Sequence, residues 1–135
     1  MTNNCLFCQL VAGTVPSYKI LENEQALAFL DIYPQTPGHI LIIPKEHSLN
    51  ILDTSDKNIS AVNIMAKQVC LLLKKSLKVN NFVVKSHHGK LAGQEIDHFH
   101  VHVIPCYDEK SRLAARKAAS DQDLKQLQKT ITSHL

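Results

Sequence analysis

"DHFHVHVIP", Asp97 to Pro105, sets His98, His100 and His102 at every second position. Successive side chains of a strand point to opposite faces. On that reading the three imidazoles share one face, and Phe99, Val101 and Val103 share the other. The apolar face belongs to a core. The histidine face must meet a metal, a polar cluster or a ligand.

Each of those outcomes has a chemical test. A merely solvated polar face has no use for so many imidazoles in strict alternation. A single ion held by all three is poorly served, because His98 and His102 lie about 13 Å apart along a straight strand. A His-x-His pair with ligands from elsewhere converges more easily. A phosphate is the third candidate. A neutral imidazole can attack phosphorus while its neighbours donate to the charged oxygens. The loop just upstream, Gly89 to Glu95, carries two glycines that would let backbone N–H groups approach an anion.

Outward from this stretch the chain reads as one α+β domain over residues 1–135 with a mostly antiparallel sheet. Tyr18 to Glu22 and Ala26 to Ile32 suit strands. "YPQTPGH" then forces a turn, and His39 to Pro44 returns as a compact apolar strand. Asp53 to Ser55 offers capping residues, after which Ile59, Val62, Met65, Val69, Leu72 and Leu73 recur at a helical period to about Lys78. Asn81 to Ser86 suits another strand. Cys106 to about Ser120 shows only a weak, polar pattern. Asp121 to Thr132 carries Leu124, Leu127 and Ile131, the pattern of a short exposed C-terminal helix.

Composition narrows the function. Of 135 residues, 44% are apolar and 20% charged, an ordinary globular balance. A net charge of +3 is too modest to argue for nucleic acid. No run approaches the roughly 20 apolar residues of a membrane span, so no membrane partner is expected. "MTNNCLFCQL" has no signal-peptide pattern, and a cytoplasmic protein is expected. In that compartment the four cysteines suit thiols or metal ligands better than disulfides. Cys5 and Cys8 in "CLFC" form either a redox pair or half of a tetrahedral zinc site. Cys70 and Cys106 have no visible partners.

"HFHVHVI" resembles the signature of the histidine-triad family, a His-x-His-x-His pattern with apolar intervening residues. "AGQE" before it is similar to that family too. So is the opening, "CLFCQLVAGTVPSYKILENEQALAFLDIYPQTPGHILIIPKEH". The resemblance covers about residues 5–105. The tail, 106–135, matches nothing in it.

The resemblance implies a histidine-triad fold and a hydrolase acting on nucleoside phosphoramidates or dinucleoside polyphosphates. His100 would be the nucleophile, forming a covalent nucleotidyl-imidazole that water then hydrolyses. His102 would donate to the phosphate or leaving group, with no metal required at the phosphorus. The rival is a slow or non-catalytic nucleotide-binding scaffold. Leu6, Phe7, Leu10, Phe29 and Ile32 would wall a purine base, although each suits a plain core position. Asp31 would accept from the ribose. His87, Gly93, Gln94, Glu95 and Ile96 would line the phosphate end. Zinc-bearing members of the Cys-x-x-Cys, bacterial-type branch imply a structural zinc on Cys5, Cys8, His47 and His98.

Three positions depart from the family pattern. His87 stands where asparagine is usual, and Glu95 where some members have serine. Cys106 stands where arginine is common. The resemblance also implies a homodimer. Ile64 and Leu71, off the main stripe of the long helix, agree with an extra apolar face there.

Overall fold

The computed structural model describes residues 4–135, so the first three residues of the expected 1–135 domain lie outside the described residues. In chain order the elements are α1 (Leu6–Ala12), β1 (Lys19–Glu22), β2 (Ala26–Leu30), β3 (Ile40–Pro44), α2 (Asp56–Leu77), β4 (Asn81–Lys85), β5 (Val101–Cys106) and α3 (Asp121–Thr132). The strands form one sheet in the order β1-β2-β3-β5-β4, every neighbour antiparallel. The α+β class and the β2–β3 hairpin agree with the sequence reading.

The sheet is covered on both faces, which explains why β2 and β3 are buried at every position. Ala26, Ala28, Leu30, Ile40 and Ile42 point to one side. There they meet Val62, Met65, Val69 and Leu73 of α2 together with Phe99, Val101 and Val103. Leu27, Phe29, Leu41 and Ile43 point to the other side and meet Phe7 of α1. Burying each large side chain of this kind contributes about 1.5–3 kcal/mol.

Helix α2 starts at Ser55, whose hydroxyl accepts from the Asn58 N–H, so one of the capping candidates read in Asp53 to Ser55 is the cap found. It ends at Lys78 in the left-handed region, with φ 59°. Ile64 and Leu71 remain exposed, as does Val84 on the sheet's edge strand β4.

Two expectations need correction. The histidine stretch is not one regular strand. β5 begins at Val101, opposite Ile42 of β3, and only His102 of the triad lies within it. His98 sits in a bend where its own N–H bonds the Ile96 carbonyl. The alternation nevertheless persists, because Phe99 is anchored in the core and its N–H bonds the Ser48 carbonyl.

The second correction concerns α3, which is not simply an exposed helix. Leu124 and Ile131 are buried in the main core, where α3 packs on α2 and β1. Helix α1 was not expected, since its seven residues carry no periodic signal. The Cys5 sulfur caps it by accepting from the Cys8 N–H, and Phe7 pins it to the sheet.

Candidate active site

A cavity of about 450 Å³ opens on the sheet face opposite α2. Leu6, Phe7, Leu10, Phe29 and Ile32 line its apolar end, and His87, Gly93, Glu95, Ile96, His100 and His102 line its polar end. Asp31 also borders it. These are residues singled out from the sequence, now brought together. Phe7 and Phe29 serve two purposes: they are almost fully buried in the smaller core, yet one side of each faces the cavity.

Gln94 does not line this cavity. Its amide N–H groups donate to the Leu49 and Ile96 carbonyls, and its oxygen accepts from the Gly89 N–H. The side chain ties its own loop together. The expected glycine cradle for an anion is also spent internally. The Gly89 N–H goes to Gln94, and the Gly93 N–H goes to the Lys90 carbonyl. Both glycines stand at positive φ, 101° and 93°, and that conformation is what requires them.

The histidine tautomers follow from backbone partners. A carbonyl only accepts, so an imidazole nitrogen bonded to one must carry the proton. His98 Nε2–H donates to the Pro44 carbonyl at 2.9 Å, leaving Nδ1 with a free lone pair. His100 Nδ1–H donates to the His98 carbonyl at 2.7 Å, leaving Nε2 as its lone-pair nitrogen. A nitrogen in that state can act as a nucleophile.

His102 is set by a longer chain. The Gln35 N–H donates to His39 Nδ1 at 3.0 Å, so the proton of a neutral His39 lies on Nε2. That proton goes to His102 Nδ1 at 2.9 Å, and His102 must then carry its own proton on Nε2. Burial holds all four imidazoles below their ordinary range, His39 and His98 at about 4. His39 was missed in the sequence although "PGH" stood in plain view. Nothing local says that its ring reaches His102, 63 positions away.

Asp31, His39 and His102 are close enough to be read as a metal-ligand cluster. Instead His39 and His102 hydrogen-bond each other, and Asp31 stands 3.6 Å from His39 without a hydrogen bond to either ring. A guanidinium already serves the carboxylate, with Arg116 Nη2 2.6 Å from Asp31 Oδ2. His87 packs the edge of its ring against His102, with centroids 5.6 Å apart.

The second cluster, Cys5, Cys8, His47 and His98, lies beside the cavity. All four donor atoms fall within 4.8 Å of one another. Individual separations are 3.4 Å from Cys5 Sγ to His98 Nδ1, 3.2 Å from Cys8 Sγ to His47 Nδ1, and 3.2 Å between the two Nδ1 atoms. Metal–ligand distances of about 2.0–2.3 Å in a tetrahedron put donors roughly 3.3–3.8 Å apart, so the set fits one ion closely. Burial and the neighbouring Cys5 raise the Cys8 thiol to about 11. Two adjacent thiolates therefore need a cation, and a bound divalent ion reverses that cost. These residues could hold a metal.

A family model for the HIT domain matches residues 12–109. The chain belongs to the HIT family. An uncharacterised HIT-like protein of Mycoplasma genitalium is 46% identical over 107 residues, which cover 79% of this chain and 76% of that one. An adenosine 5'-monophosphoramidase of Saccharomyces cerevisiae is 39% identical over 93% of this chain and 77% of its own length. A Zn-bound histidine triad family protein from Mycobacterium smegmatis superimposes with a TM-score of 0.89. It is 29% identical, and the match covers 99% of this chain and 94% of that one. Both the HIT fold and the histidine-triad resemblance are thereby established for this chain.

The buried neutral histidines make folding sensitive to acid. A histidine whose folded value lies below its unfolded value of about 6.5 binds more protons when unfolded. Stability therefore falls as pH drops below 6.5. His39, held at about 4, should alone remove about 3 kcal/mol between pH 6.5 and 4. Urea titrations with chelator present, at pH 7.5, 6.0 and 5.0, read this directly. A flat profile down to pH 5 would contradict the neutral, buried state of these histidines.

Proposed function

We propose that this HIT-family protein is a nucleotide hydrolase cleaving at the α-phosphorus of nucleoside phosphoramidates or dinucleoside polyphosphates. The observation that carries the reading is the His100 tautomer. Its Nδ1 proton is committed to the His98 carbonyl, and the ring borders a cavity of about 450 Å³ whose other end is apolar. The monophosphoramidase name of the yeast relative supports the same chemistry.

In the proposed reaction His100 Nε2 attacks the phosphorus, and the bond to the leaving group breaks. A departing amine takes its proton from water. The resulting nucleotidyl-imidazole bears a positive ring, and the His98 carbonyl stabilises it through the shared Nδ1 proton. His102, with Nε2–H outward, donates a hydrogen bond to the phosphate oxygens or the leaving atom as charge develops. Water then breaks the N–P bond and returns His100 to its starting tautomer. Leu6, Phe7, Leu10, Phe29 and Ile32 would hold a purine, Asp31 the ribose, and His87, Gly93, Glu95 and Ile96 the phosphate end. Gln94 would serve by shaping that loop.

The metal proposed for Cys5, Cys8, His47 and His98 is zinc, for which a closed S₂N₂ set is a usual structural site. When bound, it would fix α1 to the sheet and take no part at the phosphorus. We also propose a cytoplasmic single-domain protein that pairs as a homodimer. The exposed Ile64 and Leu71 on α2 and Val84 on the edge strand would be buried by a two-fold mate.

His100→Ala should lower turnover of an adenosine phosphoramidate by about a thousandfold or more while nucleotide affinity changes little. Near-normal turnover in that variant would sink the covalent route. For the metal, elemental analysis of protein purified without chelator should give about one zinc per chain, and Cys8→Ala should lose it with a lower Tm. No zinc in the wild type, or a Cys5–Cys8 disulfide under reducing conditions, would favour the redox reading. Sedimentation at micromolar concentration should show a dimer, and a single species of monomer mass would remove that part.

A further inference from the structure

Residues 110–135 lie beyond the family-model match, yet the chain there runs back to the cavity. The Gln35 amide donates to the Ser111 carbonyl. The Lys117 N–H reaches the Pro34 carbonyl, and the Ala119 N–H reaches the Ile32 carbonyl. The segment thus lies along the loop that joins β2 to β3. From it Arg116 extends into the cavity wall. Its Nε donates to the Tyr33 carbonyl at 2.8 Å, and its Nη2 to Asp31 Oδ2 at 2.6 Å.

Asp31 is only 4% exposed, and a charge buried that deeply is costly without a partner. Arg116 supplies the partner. His39 Nε2 lies 3.6 Å away, but its proton is committed to His102. The other carboxylate oxygen, Oδ1, accepts from the Tyr33 N–H. Each carboxylate oxygen offers about two acceptor positions. One protein donor on each leaves one position on each for a ligand. Two such positions suit the two hydroxyls of a cis-diol. Arg116 and Tyr33 also fix the plane of the carboxylate, because they grip its two oxygens separately.

We propose that Arg116 is a positioning residue for sugar recognition: it balances the charge of Asp31 and orients that carboxylate to accept both hydroxyls of a ribose. This rests on the nucleotide reading above. It makes the C-terminal segment part of the substrate-binding apparatus, and it places ribose selectivity on a residue 85 positions from the carboxylate it serves.

The test titrates AMP and 2',3'-dideoxy-AMP into the wild type, Arg116→Gln and Arg116→Lys, with phosphoramidate turnover measured beside binding. The wild type should prefer AMP by about tenfold, the scale of a hydrogen bond to a charged group. Arg116→Gln should lose most of that preference by weakening AMP alone, with KM raised about tenfold and kcat within about twofold. Arg116→Lys should keep part of it. An unchanged preference in Arg116→Gln overturns the proposal. So does tighter AMP binding there, which would mean that Arg116 masks Asp31. A wild type that binds AMP without sugar preference also overturns it and leaves the nucleotide reading standing. A wild type that binds neither ligand sinks both. Binding with preference but without turnover removes only the catalytic reading.

Discussion

The hydrogen bond from His98 Nε2 to the Pro44 carbonyl is the constraint on which the rest of the site depends. It joins the bend before β5 to the end of β3. It also decides the tautomer of His98, and with it the direction of the Nδ1 lone pair towards Cys5, Cys8 and His47. The same residue offers its own carbonyl to His100. One imidazole therefore serves two functions, with its ring turned to the candidate metal set and its backbone turned to the neighbouring histidine. Phe7 packs edge-on against both rings, at 5.8 Å from His98 and 5.3 Å from His100, so α1 is coupled to both.

Around that bond the sheet works as a partition. On the α2 side it is a conventional apolar core. On the other side a smaller core, built on Phe7, Phe29, Leu41 and Ile43, merges into the cavity. The burial that holds the histidines neutral comes from this second layer. A single-layered sheet with one wet face would leave the imidazoles near their ordinary values and free to exchange tautomers. Small side chains on the α2 side of β2, Ala26 and Ala28, allow the long helix to sit close, while the bulky Leu27 and Phe29 fill the opposite face.

Most of this architecture could be read from local pattern. The alternation around His98 to His102 identified both faces of the last strand, and Ser55 marked the start of α2. The gaps have physical causes. The seven residues of α1 are too few for a helical period, and a sulfur caps the helix where an oxygen is usual. The burial of α3 depends on space left between α2 and β1, which no feature of Asp121 to Thr132 reveals. Gln94 and the glycines at 89 and 93 lay in a loop expected to approach a phosphate, and Gly93, Glu95 and Ile96 of that loop line the cavity. Their polar groups were nonetheless assigned to a ligand, when folding spends them on the loop itself.

The sequence by itself determined which residue types face each other: imidazoles against one layer and aliphatic side chains against the other. Side-chain periodicity is a property of the backbone, so it survives into any fold built on it. Only the tertiary structure decided protonation and pairing. The proton on each histidine is set by a carbonyl or amide from Pro44, Gln35 or a neighbouring histidine. The partner of Asp31 comes from a tail distant in the chain. The contacts of Pro44 with His98, His39 with His102 and Arg116 with Asp31 join positions far apart in sequence, and hydrogen bonds of that kind exist only once the chain has closed on itself.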